Sequence, residues 1–281
     1  MNDATRNIDP DVAAGFGHEW STFRQSDAEF SLADREAIFR SYFHIFPWEE
    51  LTPNPVGIDV GCGSGRWSVM VAPRVSHLHL LDASPDALTV AQTNLAGAGN
   101  VSFHLASVGD IPLDDNSLDF AFSLGVLHHV PDTAAAIRSI AGKLKVGAPF
   151  LIYLYYAMDN RPWWYRAIWR FSNVLRVVIS KLPPTMRLVI SQIIAVTVYW
   201  PLARFAGLVE RTGFSPAVIP LESYRNRKFY VMRTDAYDRF CTRLEQRFTR
   251  GQIEQMLSSA GFEDIQFSDK VPYWCATGRK R

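Results

Sequence analysis

The stretch that decides the fold of this chain is Val56-Gly57-Ile58-Asp59-Val60-Gly61-Cys62-Gly63-Ser64-Gly65. A short apolar run ends there in glycines at every second position, and a helix-like segment, residues 66–72, follows it. The pattern predicts a buried parallel strand, a tight turn and a helix N-terminus. Glycine suits such a turn because it has no Cβ, so the backbone can adopt positive φ or lie directly against a ligand.

Two kinds of ligand site use a glycine turn after a strand. The dinucleotide-binding pattern G-x-G-x-x-G would place its third glycine at position 66, which is Arg66 in this sequence. Here the third glycine is Gly65, and an acidic residue, Asp59, precedes the first glycine by two positions. The phosphate-binding interpretation is therefore the weaker of the two.

A second acidic residue ends the second predicted strand. This strand, residues 78–82, is short and apolar and ends in Asp82, 21 residues beyond Gly61. At the end of the second strand of an open α/β sheet, a carboxylate can accept hydrogen bonds from ribose hydroxyls.

Further strands are predicted at 101–104, 120–124 and 149–155, and they alternate with helices. The alternation predicts a parallel, doubly wound sheet with its ligand at the carboxyl ends of the first strands.

Together these stretches resemble the class I S-adenosylmethionine-dependent methyltransferases, especially the small-molecule group that contains the ubiquinone and menaquinone methyltransferases. Residues 59–65 are similar to the first motif of that family, Asp82 is similar to its ribose-binding acid, and residues 101–132 resemble the motifs that follow. The resemblance covers residues 52–155 and 248–280. It implies an α/β fold with a doubly wound, seven-stranded, mostly parallel sheet whose last strand is antiparallel.

The same resemblance implies S-adenosylmethionine as cofactor and indicates which residues would bind it. The expected set is Asp59, Gly61, Cys62, Gly63, Gly65, Asp82, Ala83, Ser107, Val108 and Leu124. Within it, Asp59 would engage or organise the amino group, Asp82 would hold the ribose, and Leu124 would border the donor methyl. The sequence departs from the family at Ser107, where relatives usually carry an acid that meets the adenine amino group. A serine hydroxyl can still accept one hydrogen bond there.

Methyl transfer needs an acceptor lone pair aligned with the S–CH3 bond, a dry pocket and, for a weakly acidic acceptor, a base. Candidate bases are His128 and His129, because histidine titrates near neutral pH, and also His18 if the N-terminal segment closes over the pocket. A structural role for the histidine pair stays open, since Leu-His-His occurs here in relatives with different acceptors. Acceptor contacts are expected from Trp20, Tyr156, Tyr224, Arg225 and Tyr237. No His, Asp or Glu cluster has the spacing of metal ligands, so no metal is expected.

Four segments are expected along the chain. Residues 1–50, after a loose tail at 1–12, form a helical segment that covers the cofactor pocket, although Trp20 and Phe23 could instead only attach it to the sheet. Residues 51–155 form the cofactor-binding core, and residues 247–281 add a helix and the last two strands. Residues 156–246 form a helical insertion that the bare fold does not need.

The insertion has an unusual composition. No acidic residue occurs from 160 to 209, whereas the same span carries seven basic residues and four tryptophans. Residues 188–203 are uncharged, but Pro201 is expected to break this run, which is shorter than the roughly 20 residues that a membrane span requires. The segment could be an acceptor cap or dimer surface, a helix lying in a lipid headgroup layer, or a nucleic-acid surface. We favour the cap or dimer surface and expect no nucleic acid.

Composition sets the remaining limits. With 281 residues, 20% of them charged and a net charge of +1, the chain is expected to be globular, with no field suited to nucleic acid over the whole protein. Three scattered cysteines and a polar N-terminus favour a cytoplasmic protein, in contact with the membrane surface if the insertion binds lipid. We therefore expect a methyltransferase for a small-molecule or lipid-like acceptor. The alternative is a protein that binds S-adenosylmethionine without methylating.

Overall fold

The computed structural model describes residues 7–23 and 32–281. The described chain forms two compact units. One contains residues 7–23 together with residues 35–159 and 244–281, and the other contains residues 160–243 and the described residues 32–34.

The first unit is built on a seven-stranded sheet with the order β3-β2-β1-β4-β5-β7-β6. Its strands are β1 (Val56–Val60), β2 (His77–Asp82), β3 (Val101–Leu105), β4 (Phe120–Leu124), β5 (Pro149–Tyr153), β6 (Phe262–Phe267) and β7 (Ala276–Lys280). The pairs among β1 to β5 are parallel, whereas β7 runs antiparallel to both of its neighbours. The predicted α/β fold with a doubly wound, mostly parallel sheet is confirmed. Because β1 pairs with both β2 and β4, the strand order reverses between β1 and β4, where open sheets hold their ligands.

Helices pack around this sheet. They are α1 (Pro10–Thr22), α2 (Leu32–Phe43), α3 (Ser68–Val71), α4 (Pro85–Asn94), α5 (Thr133–Lys143) and, after the second unit, a C-terminal helix (Arg250–Ser259). Polar residues fix several starts: Ser84, Asp132 and Thr249 each accept a backbone N–H of the first helical turn. Short 3-10 turns occur at Trp48–Glu50, Ala72–Arg74 and Leu127–His129.

Three boundaries differ from the sequence expectation. The helix after the glycine turn begins at Ser68, because the left-handed turn that starts at Gly61 continues to Gly65. The last strand begins at Ala276, because residues 268–275 close a tight connection in which the Ser268 N–H donates to the Cys275 carbonyl at 2.8 Å. Residues 7–12 are not a loose tail: the Asn7 side chain donates to the Asp132 carbonyl at 2.7 Å and accepts the Asp132 N–H at 2.8 Å.

The second unit is helical. It consists of α6 (Trp163–Ile179), α7 (Pro184–Arg211) and α8 (Phe229–Cys241), with a 3-10 turn at Glu222–Tyr224. Its core includes Ile179 from α6, Ala195, Tyr199 and Ala203 from α7, and Met232, Ala236 and Phe240 from α8. The small residues of α7 let α8 approach closely, and the aromatic residues fill the space around them.

Pro201 does not break α7, contrary to the sequence expectation. A proline ring collides with the carbonyl four residues earlier in a regular α-helix. Here the helix widens into a π turn at Ala195–Tyr199, directly before Trp200 and Pro201, and continues to Arg211. The resulting 28-residue helix is, by length and composition alone, sufficient to cross a membrane, and 22% of its most apolar stretch is buried.

Gly57 is required in the sheet core, because a Cβ built on it would lie 2.1 Å from the Phe120 ring on β4. We expect Gly57→Ala to lower the free energy of unfolding by about 1–3 kcal/mol, the usual cost of overpacking. Gly142→Ala in α5 is the matched control, since nothing lies within 4 Å of its Cβ position; it should stabilise the helix by about 0.5–1 kcal/mol. Chemical denaturation of both variants measures the difference, and equal stabilities would contradict the packing argument.

Candidate functional site

The glycine turn after β1 is attached to the end of β2. The Gly61 and Cys62 N–H groups both donate to the Leu81 carbonyl, at 2.7 and 3.0 Å, and the Gly63 N–H donates to Asp82 Oδ2 at 2.9 Å. Gly61 and Gly63 have φ values of 77° and 54°, a region that favours glycine. The two sequence motifs are therefore joined by direct hydrogen bonds.

The carboxyl group of Asp82 is held in a fixed orientation. Oδ2 accepts the Gly63 N–H and Oδ1 accepts the Ser84 N–H, each at 2.9 Å. Burial raises the pKa of Asp82, and these amide hydrogen bonds lower it in part. A carboxylate oxygen has two lone pairs, so each oxygen keeps acceptor capacity for a hydroxyl group.

Asp59 is the most deeply buried acid of the site, with 3% of its surface exposed. Its Oδ2 accepts the Ser68 hydroxyl at 2.6 Å, and Ser68 is itself fully buried. Burial raises the pKa of Asp59 to about 7, the Ser68 hydrogen bond opposes that rise, and the charge of Asp82 adds to it. The charge of Arg66 also opposes the rise, and a carboxyl group with this pKa is close to half protonated at neutral pH.

The N-terminal helix α1 lies against three parts of the site. The Trp20 indole is next to Gly63, and a Cβ built on Gly63 would lie 2.9 Å from it. A Cβ built on Gly17 would likewise lie close to the Ser84 hydroxyl. The Arg66 guanidinium lies over the Trp20 ring at 5.3 Å and over the Trp67 ring at 4.6 Å. His18, a candidate base, follows Gly17 on this helix. The helix is thus fixed to the turns that follow β1 and β2.

The loop after β4 carries the histidine pair and closes the other side of the reversal point. A Cβ at Gly61 would lie 2.3 Å from the Val126 side chain, so the two loops touch. Both histidines are buried, and the ring of His129 lies 4.9 Å from that of Phe16 on α1. The pair therefore lies within the same part of the first unit as the glycine turn and α1.

The two histidines carry opposite tautomers when neutral. His129 Nδ1 donates to the Leu244 carbonyl at 2.6 Å, so its proton is on Nδ1 and Nε2 bears a lone pair. His128 Nδ1 instead accepts the Tyr155 N–H at 3.4 Å, which leaves its proton on Nε2. Burial lowers the pKa of His128 well below its ordinary value, and His129 and Arg247 lower it further. Neutral His128 is therefore a donor, whereas neutral His129 can accept a proton.

Residues 244–248 support this pair, and spacing in the sequence gave no indication of them. The Gln246 N–H donates to the His128 carbonyl at 2.9 Å, and Gln246 Nε2 donates to the Val130 carbonyl at 2.7 Å. Arg247 forms an ion pair with Glu245 at 2.8 Å and lies 5.0 Å from the Tyr155 ring, which stacks on His128 at 3.8 Å. A charged and aromatic layer thus backs the histidines, built from residues far apart in the chain.

The remaining cofactor candidates lie at strand ends in the first unit. Ser107 and Val108 follow β3 and are buried, Leu124 ends β4, and Ala83 follows β2. Cys62 is buried in the glycine turn, and a Cβ at Gly65 would lie 2.8 Å from Leu95, so Gly65 packs against the core. All of these positions belong to the carboxyl ends of β1 to β4.

The acceptor candidates are divided between the units. Trp20 and Tyr156 belong to the first unit, and Tyr156 forms an isolated bridge with Phe248. Tyr224, Arg225 and Tyr237 belong to the second. There Arg225 pairs with Glu210 at 2.8 Å and with Glu222, and Tyr224 donates to Asp235, so both side chains have structural partners. Within the described residues, no group of three or more His, Cys, Asp or Glu side chains is arranged to hold a metal ion.

Comparison with known proteins finds relatives of the part of the chain that carries this site. Residues 58–152 match the methyltransferase-domain family. The chain is 27% identical over 177 residues to the ubiquinone biosynthesis O-methyltransferase of Hydrogenovibrio crunogenus, covering 62% of this chain and 71% of that protein. It is 32% identical over 99 residues to the O-methyltransferase rstn1 of Aspergillus nomiae, covering 34% of this chain and 44% of that relative.

Other matches are more limited in length or similarity. The chain spans 42% of the methyltransferase YcgJ of Bacillus subtilis at 29% identity, so it covers less than half of two of these curated relatives. The solved structure of YcgJ superposes with a TM-score of 0.49 at 16% identity, over 83% of this chain and 68% of that one. The matched domain contains the glycine turn, Asp82 and the histidine pair, on the seven-stranded sheet described above. Residues 58–152 of the chain therefore form a methyltransferase domain.

Proposed function

We propose that S-adenosylmethionine binds between the glycine turn and the loop after β4, and that the chain transfers its methyl group to a hydroxyl of a small-molecule acceptor. The observation that carries the proposal is the Gly63 N–H···Asp82 Oδ2 hydrogen bond, which joins a turn without Cβ atoms to an oriented carboxylate. Asp82 is assigned to the ribose hydroxyls, Asp59 to the methionine amino group, and Ser107 with Val108 to the adenine.

The residues of the site fit this group chemically. The cofactor carries two ribose hydroxyls, which Asp82 can accept, and an ammonium group, which would stabilise the ionised form of Asp59. Gly61 and Gly63 let the backbone approach without steric interference. When bound, the cofactor supplies a methyl group on a positively charged sulfur, which is already activated for transfer.

The chain's own contribution is to position the acceptor, to exclude water and to hold a proton. Trp20, Arg66 and Trp67 form a stacked layer beside the glycine turn, which would keep that side dry. His129 is the candidate for taking the acceptor's hydroxyl proton on Nε2, because its Nδ1 proton is committed to the Leu244 carbonyl. His128 is assigned a positioning role, since its neutral form holds its proton on Nε2.

Hydroxyl methylation is supported by the names of two relatives, which are described as O-methyltransferases. A hydroxyl acceptor must lose a proton as the new bond forms, so it requires a base, and His129 is the candidate. We propose a flat or lipid-like acceptor, and in the first unit we assign its aromatic contacts to Trp20 and Tyr156. The helical second unit would position the acceptor, and the protein would act in the cytoplasm.

The first prediction of this proposal concerns Asp82. We expect Asp82→Ala to weaken the binding of S-adenosylmethionine by about 1–3 kcal/mol, the usual cost of losing a charge-assisted hydrogen bond. Asp114→Ala is the matched control, since Asp114 is exposed and its side chain has no assigned contact with the site. Titration calorimetry measures both variants. Equal affinities, or tight binding of NAD in place of S-adenosylmethionine, would contradict the assignment.

The second prediction follows from the pKa of Asp59, about 7 in the free protein. A bound ammonium lowers this pKa, so binding at pH 6 should release protons and affinity should rise as the pH increases towards 7. Above pH 8 affinity should fall again, because a free α-amino group loses its proton at about pH 7.7–8.0. Asp59→Asn should release no proton at pH 6. Calorimetry in two buffers of different ionisation enthalpy measures this, and proton release by the variant would place the titrating group elsewhere.

The third prediction separates the two histidines. Asparagine places a donor or acceptor near the position of Nδ1 and removes Nε2, so His129→Asn keeps a donor for Leu244 and His128→Asn keeps an acceptor for Tyr155. We expect His129→Asn to lower kcat about 10²–10⁴-fold, the usual contribution of a general base, without changing cofactor affinity. His128→Asn should lower kcat less than about 10-fold.

The measurement is release of S-adenosylhomocysteine from wild type and variants with cell extract or a panel of phenolic and quinol acceptors, alongside a mass search for an added methylene. Equal losses in the two variants would contradict the assigned base. A wild-type protein that binds S-adenosylmethionine but forms no S-adenosylhomocysteine with any extract would instead be a binding protein on this fold.

A further inference from the structure

The second unit exposes an apolar face on each of its two longest helices. On α6, Trp163, Phe171, Val174 and Val178 recur at helical spacing and are 75%, 69%, 62% and 60% exposed. On α7, Val189, Ile193, Val196 and Trp200 form a similar row that passes through the π turn, and each is about half exposed. Monomeric soluble proteins rarely leave large contiguous apolar patches exposed, so these rows indicate a contact surface.

The opposite faces of the same helices contribute to the core of this unit, α6 through Ile179. Ala195, Tyr199 and Ala203 of α7 pack with Met232 and Ala236 of α8 in the core of this unit. The exposed rows are therefore not a consequence of an unformed core.

The charges beside these rows have one sign. Residues 160–209 contain no acid, and Arg166, Arg170, Lys181 and Arg204 are exposed. Arg166 and Arg170 are one helical turn apart and lie beside the exposed row of α6. The next acid along the chain, Glu210, is paired with Arg225.

One basic residue of this span does not belong to the surface. Arg176 is buried, and its guanidinium donates to the Thr242 and Arg243 carbonyls at 2.8 and 3.0 Å and to Asn173 at 2.8 Å. It holds α6 to the end of α8. A substitution of Arg176 would therefore test folding and not surface charge.

We propose that the second unit binds the surface of an anionic lipid bilayer through the exposed apolar rows and the basic residues of α6 and α7. Exposed apolar rows flanked by Arg, Lys and Trp are the composition of helices that lie in the headgroup layer. Anionic headgroups complement the uncompensated bases, whereas a symmetric dimer through the same face would bring like charges together. Charge complementarity thus favours lipid over a second copy of the chain.

The contacts of α7 place it in the surface layer and not across the bilayer, although its length would permit a span. In its N-terminal third, Gln192 accepts a hydrogen bond from Arg233 of α8, and Arg187 donates to the Cys241 carbonyl at 3.1 Å. The charged residues Arg233, Asp235, Asp238 and Arg239 of α8 would be carried into hydrocarbon if α7 inserted fully together with α8. Buried charge in hydrocarbon is costly, so the helix is expected to insert only its exposed row.

The test is co-sedimentation of the full chain with vesicles of phosphatidylcholine alone or with 30% phosphatidylglycerol, without methyl donor. We expect binding to the anionic vesicles, release at high salt, and about 30-fold weaker partitioning for R166Q/R170Q, since each base near an anionic surface contributes about 1 kcal/mol. R138Q/K270Q is the matched control, because it removes the same charge from exposed positions of the first unit; it should bind like wild type.

A second pair of variants tests the apolar rows. We expect F171S/V174S to weaken binding at least 10-fold, and L105S/V146S, at exposed apolar positions of the first unit, to change it less than twofold. Three results would overturn the proposal. They are binding to neither kind of vesicle, an equal loss of binding in a variant and its matched control, and a dimer in ultracentrifugation that only F171S/V174S dissociates. Resistance to high salt and alkaline carbonate would also overturn it, in favour of a spanning helix. Since no donor is present, failure here would leave the proposed methyl transfer unaffected.

Discussion

The first unit depends on the hydrogen bond between the Gly63 N–H and Asp82. It forms because β1 and β2 are parallel neighbours in register, which brings the residues after both strands to one edge of the sheet. Positive φ at Gly63 directs its N–H towards β2, and the missing Cβ leaves space for the Trp20 indole. One hydrogen bond therefore combines strand pairing, turn conformation and the docking of α1, and any side chain at Gly63 would disturb all three.

The two acids at this edge are held in different environments, although both follow apolar strand residues. Asp82 accepts two backbone N–H groups, which favour its charged form and fix its orientation. The Asp59 side chain accepts the Ser68 hydroxyl, and burial raises its pKa to about 7. A carboxyl group left in this state gains most from a nearby cation, because the cation offsets the cost of burying its charge. The environment thus suits Asp82 for neutral hydroxyls and Asp59 for an ammonium group.

The sequence predicted those parts of the first unit that local patterns determine. The strands β1 to β5 were placed within about two residues, because buried apolar runs and glycine turns are local signals. Long-range contacts could not be predicted from the sequence. No spacing indicated that Asn7 would bind Asp132, or that residues 244–248 would support the histidines. The tautomers of His128 and His129 also depend on such contacts. The sequence could therefore name both histidines but not distinguish them.

The second unit shows a different limit. Its composition indicated an unusual surface, yet composition does not say which basic residues face solvent. Arg166 and Arg176 look equivalent in the sequence, but the first is exposed and the second is bonded to two backbone carbonyls. Likewise, Pro201 is a helix breaker by local rules, and only the π turn before it lets α7 continue. Because the helix continues through that turn, Ile193, Val196 and Trp200 lie on the exposed side of one helix, opposite the residues that pack against α8.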